Sequence, residues 1–138
     1  MTVQNPAFSN LDYFCVSANI PGVTSPEIFT PFRNQVGYVP GDRINYDLLT
    51  LKFMVDENMA NYTEVLKWMQ ANQTSSSMLR SDLILSILTA KNNVNRQFQF
   101  SEVFPVSISG LDFDIQASEV DYISCTASFR FNYFKSIK

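Results

Sequence analysis

Two stretches of this chain, residues 96–109 and 121–134, alternate apolar and polar side chains over most of their length. In the first, Phe98, Phe100, Phe104, Val106 and Ile108 share one face, and Gln97, Gln99, Ser101, Ser107 and Ser109 share the other. In the second, Ile123, Cys125, Ala127, Phe129, Phe131 and Tyr133 oppose Ser124, Thr126, Ser128, Arg130 and Asn132. Successive side chains of a strand point to opposite faces, so both stretches are predicted strands with a core side and a wet side. Strands of about 13 residues exceed the usual length of about 5–6, which implies a wide sheet.

A chain of 138 residues fits one domain, and a domain of that size buries about two thirds of its unfolded surface. At 46% hydrophobic and 14% aromatic residues, the composition supports a packed, sheet-rich fold and argues against disorder. Net charge is −3, and the ten basic residues are scattered singly. No electrostatic clamp on phosphates is built from such a pattern, although a weakly acidic surface still lets a polyanion pass nearby. The start MTVQNPAFSN lacks the basic and apolar regions of a secretion signal. The longest apolar stretch, residues 83–90, is far short of the ~20 residues that cross a membrane, so a soluble protein without membrane contact is expected. Cys15 and Cys125 read as small buried hydrophobes in a reducing compartment, with a disulfide left open until geometry is known.

No repeat, linker or low-complexity segment divides the sequence, so the expected organisation is an arm over residues 1–10 and one domain over residues 11–138. Residues 11–19 read as a strand, with Phe14, Val16 and Ala18 opposite Tyr13, Cys15 and Ser17. Pro21, Pro26, Pro31 and Pro40 then remove ladder donors, leaving an extended excursion with one short strand near 35–39. Over residues 43–55 the strand pattern changes phase. Ile44, Tyr46 and Leu48 are apolar at even positions, Leu49, Leu51, Phe53 and Val55 at odd ones, which predicts a bulge or bend at 47–49. A helix is expected near 58–71, on a stripe of Tyr62, Val65, Leu66 and Met69. Asn61 and Glu64 have capping-box spacing, while Asp56 or Asn58 would cap a start one turn earlier. Residues 72–77 are a polar loop, residues 82–90 a strand apolar on both faces and so covered on two sides, and KNNVN at 91–95 a hairpin turn.

The chain contains no histidine. That removes Ser-His-Asp and Cys-His catalysis and the commonest zinc ligand together. Two cysteines do not make a structural zinc site, and four glycines leave no phosphate-cradling loop. Asp112, Asp114, Glu119 and Asp121 could be drawn as a carboxylate pair or a hard-cation site, but they lack the dense ligand series of a calcium loop and read more plainly as solvated. Most aromatics fall on apolar strand faces, where core packing is the default. Trp68 lies beside the helix stripe and is expected to cover the sheet or to meet a neighbouring subunit. Neither a catalytic residue nor a cofactor or metal site is predicted, and an enzyme is the remotest reading. The long polar strand faces are more informative. They carry Ser, Thr, Gln and Asn where an exposed sheet commonly carries Lys and Glu. Such a weakly charged wet wall suits a water-filled conduit; an ordinary exposed sheet is the plainer reading.

From Gly37 to Met69 the sequence reads GYVPGDRINYDLLTLKFMVDENMANYTEVLKWM: a Pro-Gly turn, a strand that breaks phase, a polar corner and a short helix. With FPVSISGLDFD at 104–114 and the alternating last strand, this order resembles the tail-tube proteins of contractile bacteriophages. The resemblance implies a mainly β fold with one α-helix, its two antiparallel sheets packed as a sandwich or split barrel. It also implies rings of six copies whose inner strands join into a barrel, stacked into a tube through which DNA passes without specific binding. Tube subunit, baseplate tube initiator and tail-end cap are all compatible with it, with neighbouring tube, baseplate or sheath proteins as partners. The expected location is the virion tail, after assembly in the host cytoplasm. Strand parity then places Gln97, Gln99, Ser101, Ser124, Thr126 and Ser128 in the lumen. Pro21, Pro26, Phe29, Pro31, Phe32, Tyr38 and Trp68 are expected at contacts between subunits or rings. The competing class is a monomeric β-sandwich binding module, such as a carbohydrate-binding domain.

Overall fold

The structure, a computed structural model, describes residues 2–3, 15–74, 79–113 and 123–138. Among these residues the strands are β1 (Thr2–Val3), β2 (Cys15–Ala18), β3 (Val23–Thr24), β4 (Glu27–Pro31), β5 (Val36–Pro40), β6 (Asn45–Tyr46) and β7 (Leu49–Met54). The helix α1 (Ala60–Thr74) follows, and then β8 (Ser81–Leu88), β9 (Val94–Ile108), β10 (Ser124–Arg130) and β11 (Tyr133–Ser136). All pairings are antiparallel. Seven strands form one sheet in the order β1-β8-β9-β10-β7-β2, with β11 also on β9; β3 pairs β6, and β4 pairs β5. The chain is therefore mainly β with a single helix among the described residues, as the alternation predicts.

The 15-residue β9 runs through the whole sheet. Its register against β8 shifts where Ser81 faces Val103 and Leu83 faces Phe100, and Glu102 there adopts a φ of 56°. This is a β-bulge, which bends the strand and re-aims its side chains. The first part of β9 pairs β8 and β11, and the second pairs β10. Strands that switch sheets at a bulge make the corners of packed sheets. The sheet is thereby split into a β1-β8-β9-β11 half and a β9-β10-β7-β2 half.

The bulge also corrects the expected faces of β9. Phe98 and Phe100 point inward as predicted, but beyond Glu102 the inward positions are Val103 and Pro105, and Val106 is 45% exposed. An even period cannot survive one inserted residue. The last strand is likewise two: β10 and β11 are separated by Phe131 and Asn132, and Tyr133 turns out to 50% exposure while Phe134 packs on the core.

One core joins both halves. Leu49, Leu51 and Phe53 of β7 lie opposite Phe129, Ala127 and Cys125 of β10, all at most 2% exposed. Phe100, Phe131 and Phe134 cluster at ring separations of 5.1–5.8 Å, with Tyr46 at 5.4 Å from both Phe131 and Phe134. Aromatic pairs at such distances add specific geometry to the burial of apolar area. The phase break at 47–49 is present: β6 leaves with β3, and β7 starts afresh at Leu49 in the main sheet. Cys15 and Cys125 flank Phe53 from the two strands on either side of β7. Two interstrand spacings of about 4.8 Å separate them, beyond the reach of a disulfide.

The helix starts at Ala60, whose N–H donates to Asp56 Oδ1 at 2.7 Å, so the earlier of the two caps considered is the one used. Its buried face is Asn61, Val65 and Trp68, with Tyr62 and Met69 partly buried. Asn61 is 0% exposed, and its Nδ2 donates to the Met54 carbonyl at 2.6 Å. It clamps the helix to the end of β7 instead of capping it. Replacing Asn61 with alanine leaves that carbonyl without its buried donor, and a loss of about 1–3 kcal/mol is expected in urea denaturation of the subunit. On β8, Leu83 is buried but Ile87 and Leu88 are 38% and 51% exposed, so the two-sided cover expected for this strand ends partway along it. The 91–95 turn is as expected, with Asn92 at a φ of 59°.

Candidate functional site

The described residues hold no cluster of His, Cys, Asp or Glu able to bind a metal, and no helix among them is long and apolar enough to cross a membrane. Of the acidic group Asp112, Asp114, Glu119 and Asp121, Asp112 is exposed and the others lie outside the described residues. What the structure presents instead is surfaces.

The first is the outer face of the β9-β10-β7-β2 half. Inward residues of β7 and β10 alternate with an outward row in which Ser124 lies opposite Met54, Thr126 opposite Lys52 and Ser128 opposite Thr50. Ser107 of β9 extends the row beside Ser128, and Ser17 of β2 extends it beside Lys52. Among these residues Lys52 carries the single charge. Two edges of this half bear no further strand among the described residues: β2, and β9 beyond Val103, which pairs with Ser81 of β8.

Gln97 and Gln99 belong to the other half. They stand on the outward side of β9, where Gln97 Nε2 donates to Ser86 Oγ at 3.1 Å and Gln99 Nε2 to Asp82 Oδ2 at 3.3 Å. The bulge at Glu102 separates them from Ser124, Thr126 and Ser128, so the expected lumen residues fall on two surfaces that turn away at the corner. Ser101 lies at that corner and is 7% exposed, which corrects its assignment to a solvent-lined wall. Around it, the Glu102 carboxylate accepts from Asn132 and from Arg80, the latter at 3.2 Å, and Asp82 Oδ1 accepts the Glu102 N–H at 3.2 Å. These bonds hold a non-glycine residue in the left-handed region, which otherwise costs energy.

The second surface is the β4-β5 hairpin. Sequence reasoning predicts one short strand here; the structure has two, closed by Phe32 N–H donating to the Gln35 carbonyl at 2.9 Å. Pro31 and Pro40 end the strands, where a missing N–H costs least. At the base, the Gly41 N–H donates to the Pro26 carbonyl at 2.8 Å, and a Cβ on Gly41 would clash with that same oxygen. This close approach is why the Pro-Gly step needs glycine.

The hairpin is apolar on both sides. Phe29 and Tyr38 form a cross-strand pair with ring centroids 6.3 Å apart, on the face opposite Ile28 and Val39. Exposure is 58% at Phe29, 63% at Tyr38 and 60% at Phe32. Pro26 and Pro31 are exposed as well. An isolated two-stranded ribbon is marginal in water, and a contiguous exposed apolar patch marks an interaction surface. Two expected contact residues are corrected. Pro21 is buried, and Trp68 is 2% exposed, donating from Nε1 to the Leu79 carbonyl at 2.8 Å and packing 6.0 Å from the Phe129 ring. The indole needs a polar partner when buried, and the Leu79 carbonyl, two residues before β8, supplies it.

Comparison with known proteins now defines the class. The phage tail tube protein family matches residues 2–137, and the chain belongs to that family. The tail tube protein of Serratia phage KSP90 is 24% identical over 152 aligned residues, covering 99% of this chain and 84% of that protein. In fold, the chain is similar to the tube-terminating cap of the anti-feeding prophage, with a TM-score of 0.69 at 17% identity over 88% of this chain and 78% of that one. It is similar to the sheath/tube terminator of an extracellular contractile injection system, PVC, with a TM-score of 0.69 at 16% identity over 90% and 85% of the two chains. Hcp1 from Flavobacterium johnsoniae shares the fold at a TM-score of 0.56 and 12% identity, over 89% and 85%. The chain is a structural protein of the phage tail tube family and not an enzyme.

Proposed function

We propose that six copies of this chain form a ring in which the β9-β10-β7-β2 half is the inner wall, and that stacked rings make a channel for DNA. The observation that carries this reading is the outward row of Ser124, Thr126, Ser128, Thr50 and Ser107, which is polar, nearly uncharged and bounded by two strand edges that bear no further strand among the described residues. Unpaired edges are a liability in a solitary protein, and joining them between copies removes it. A repeated heterologous contact closes into a ring when its rotation permits. A wall of hydroxyls hydrates a passing polyanion without holding it, and the chain's net charge of −3 offers no phosphate clamp.

In this reading Gln97 and Gln99 lie on the side of the ring away from the bore. The exposed hairpin residues Pro26, Phe29, Pro31, Phe32 and Tyr38 meet neighbouring subunits or rings. Within the arm expected over residues 1–10, Thr2–Val3 is β1 on the edge of the sheet; the segment contributes to the same contacts from there, and deleting it is expected to reduce tube length in electron micrographs, whereas unchanged polymerisation would count against that role. Assembly takes place in the host cytoplasm, and the completed tube meets sheath and baseplate proteins in the virion. Negative-stain microscopy of the purified protein tests the whole reading. Rings or tubes of uniform bore support it, while dispersed single subunits at high concentration would remove it.

A further inference from the structure

The tip of the β4-β5 hairpin and a small groove lined by other elements of the chain carry features that match one another. The groove has a volume of about 160 Å³, is open on one side and is lined by Asn72 near the end of α1, Leu79, Arg80 and Phe104. That volume is below the ~300–1,000 Å³ of typical ligand clefts, which suits a single side chain better than a small-molecule ligand. Leu79 is 39% exposed, and the Arg80 guanidinium lies 5.7 Å from the centre of the Phe104 ring. Two carboxylates neighbour the lining residue Arg80: Glu102, 51% exposed and paired with it, and Asp82, which accepts the Glu102 N–H. Two acids against one paired cation leave this cluster with a surplus of negative charge.

The tip of the hairpin carries the opposite features. Phe32 is 60% exposed, and its ring lies against Gly37, where a Cβ would displace it. One side of the ring is thus supported by backbone while the other is presented outward. Arg33, exposed and next in sequence, places a cation beside that aromatic knob. A supported aromatic anchor entering a small pocket is the commonest form of an interface hot spot, and Arg80 offers a cation–π partner for the incoming ring.

We infer that the groove formed by Leu79, Arg80 and Phe104 is the socket for Phe32 of a second copy of this chain, with Arg33 of that copy meeting Glu102 and Asp82. Knob and socket lie on different surfaces of one subunit, so the contact is heterologous and propagates from copy to copy. The inference rests on the reading that copies assemble, and it adds which two surfaces meet.

Phe32→Cys and Leu79→Cys, placed together, test it by oxidative cross-linking of assembled protein, since both side chains are exposed and neither change removes core volume. A ladder of covalently linked subunits is expected from the double variant and not from either single variant. Tubes that form normally yet yield no ladder, or a link confined within one chain, would overturn the inference while leaving the ring reading intact. Absence of assembly by the unmodified chain would overturn both. If the double variant itself does not assemble, the two single variants are mixed and oxidised: cross-linked pairs support the socket and their absence overturns it. Arg33→Glu provides an independent readout, with at least a tenfold rise in the concentration needed for assembly expected and an unchanged threshold contradicting the charge match.

Discussion

Phe129→Ala is expected to lower the stability of the isolated subunit by about 3–5 kcal/mol, as measured by urea denaturation. Phe129 is 1% exposed at the centre of the molecule. It faces Leu49 on one neighbouring strand and Pro105 on the other, and the Trp68 ring covers it from the helix. Removing it opens a cavity where both halves of the sheet meet α1, and surrounding strands cannot collapse without breaking their registers. Since domains of this size are stable by only about 5–15 kcal/mol, a substantial fraction of the variant should be unfolded under conditions that leave the parent intact. Lys52→Ser on the outer face of the same sheet should stay within about 0.5 kcal/mol. Equal losses at both positions would mean that inner and outer faces are misassigned.

The second large effect concerns association, not folding. Phe29→Asp combined with Tyr38→Asp should leave the subunit's denaturation midpoint nearly unchanged and abolish tubes. The two rings pack on one another and stand 58% and 63% exposed, so the isolated subunit loses little when they go. If each is a hot spot worth about 2 kcal/mol at the interface, the pair weakens association by roughly a thousandfold, each 1.4 kcal/mol being tenfold. Sedimentation velocity separates the outcomes: a folded monomer at concentrations where the parent forms large particles is expected. Assembly at the parent's concentration would show that this face of the hairpin is not buried between subunits.

Much of the architecture was legible because period-two alternation survives wherever a strand is straight and covered on one side. Cys125, Ala127 and Phe129 point inward and Ser124, Thr126 and Ser128 outward, as their parity demands. The phase slip after Leu48 correctly marked the passage from β6 to β7, because a one-residue slip exchanges the faces of everything that follows. The same exchange occurs at Glu102, beyond which Val103 and Pro105 replace Phe104 and Val106 on the inner side. An acidic residue inside an apolar alternation was the available signal, and its left-handed backbone is held by Arg80 and Asn132, partners distant in sequence.

The helix shows another limit. A stripe drawn from apolar residues alone includes Leu66 and omits Asn61, yet Asn61 is fully buried because it serves the Met54 carbonyl. Hydropathy does not register a polar side chain that is buried for the sake of one backbone acceptor. In the excursion after Ile20, four prolines exclude a central strand and leave room in the sequence reading for one short strand near 35–39. They fall where the hairpin tolerates them, and the exposed aromatic pair across β4 and β5 depends on register that composition does not encode. The proposed assembly surfaces were therefore visible as unusual segments, while the separation of Gln97 and Gln99 from Ser124, Thr126 and Ser128 required the corner.

A side-chain-resolution electron microscopy map of the assembled particle tests the central claim most directly. Ser124, Thr126 and Ser128 are predicted to project into a water-filled bore, with β2 of each copy joined to the free edge of β9 in the next. A map in which that hydroxyl row is packed against another protein, or in which those edges remain unpaired, would contradict the account.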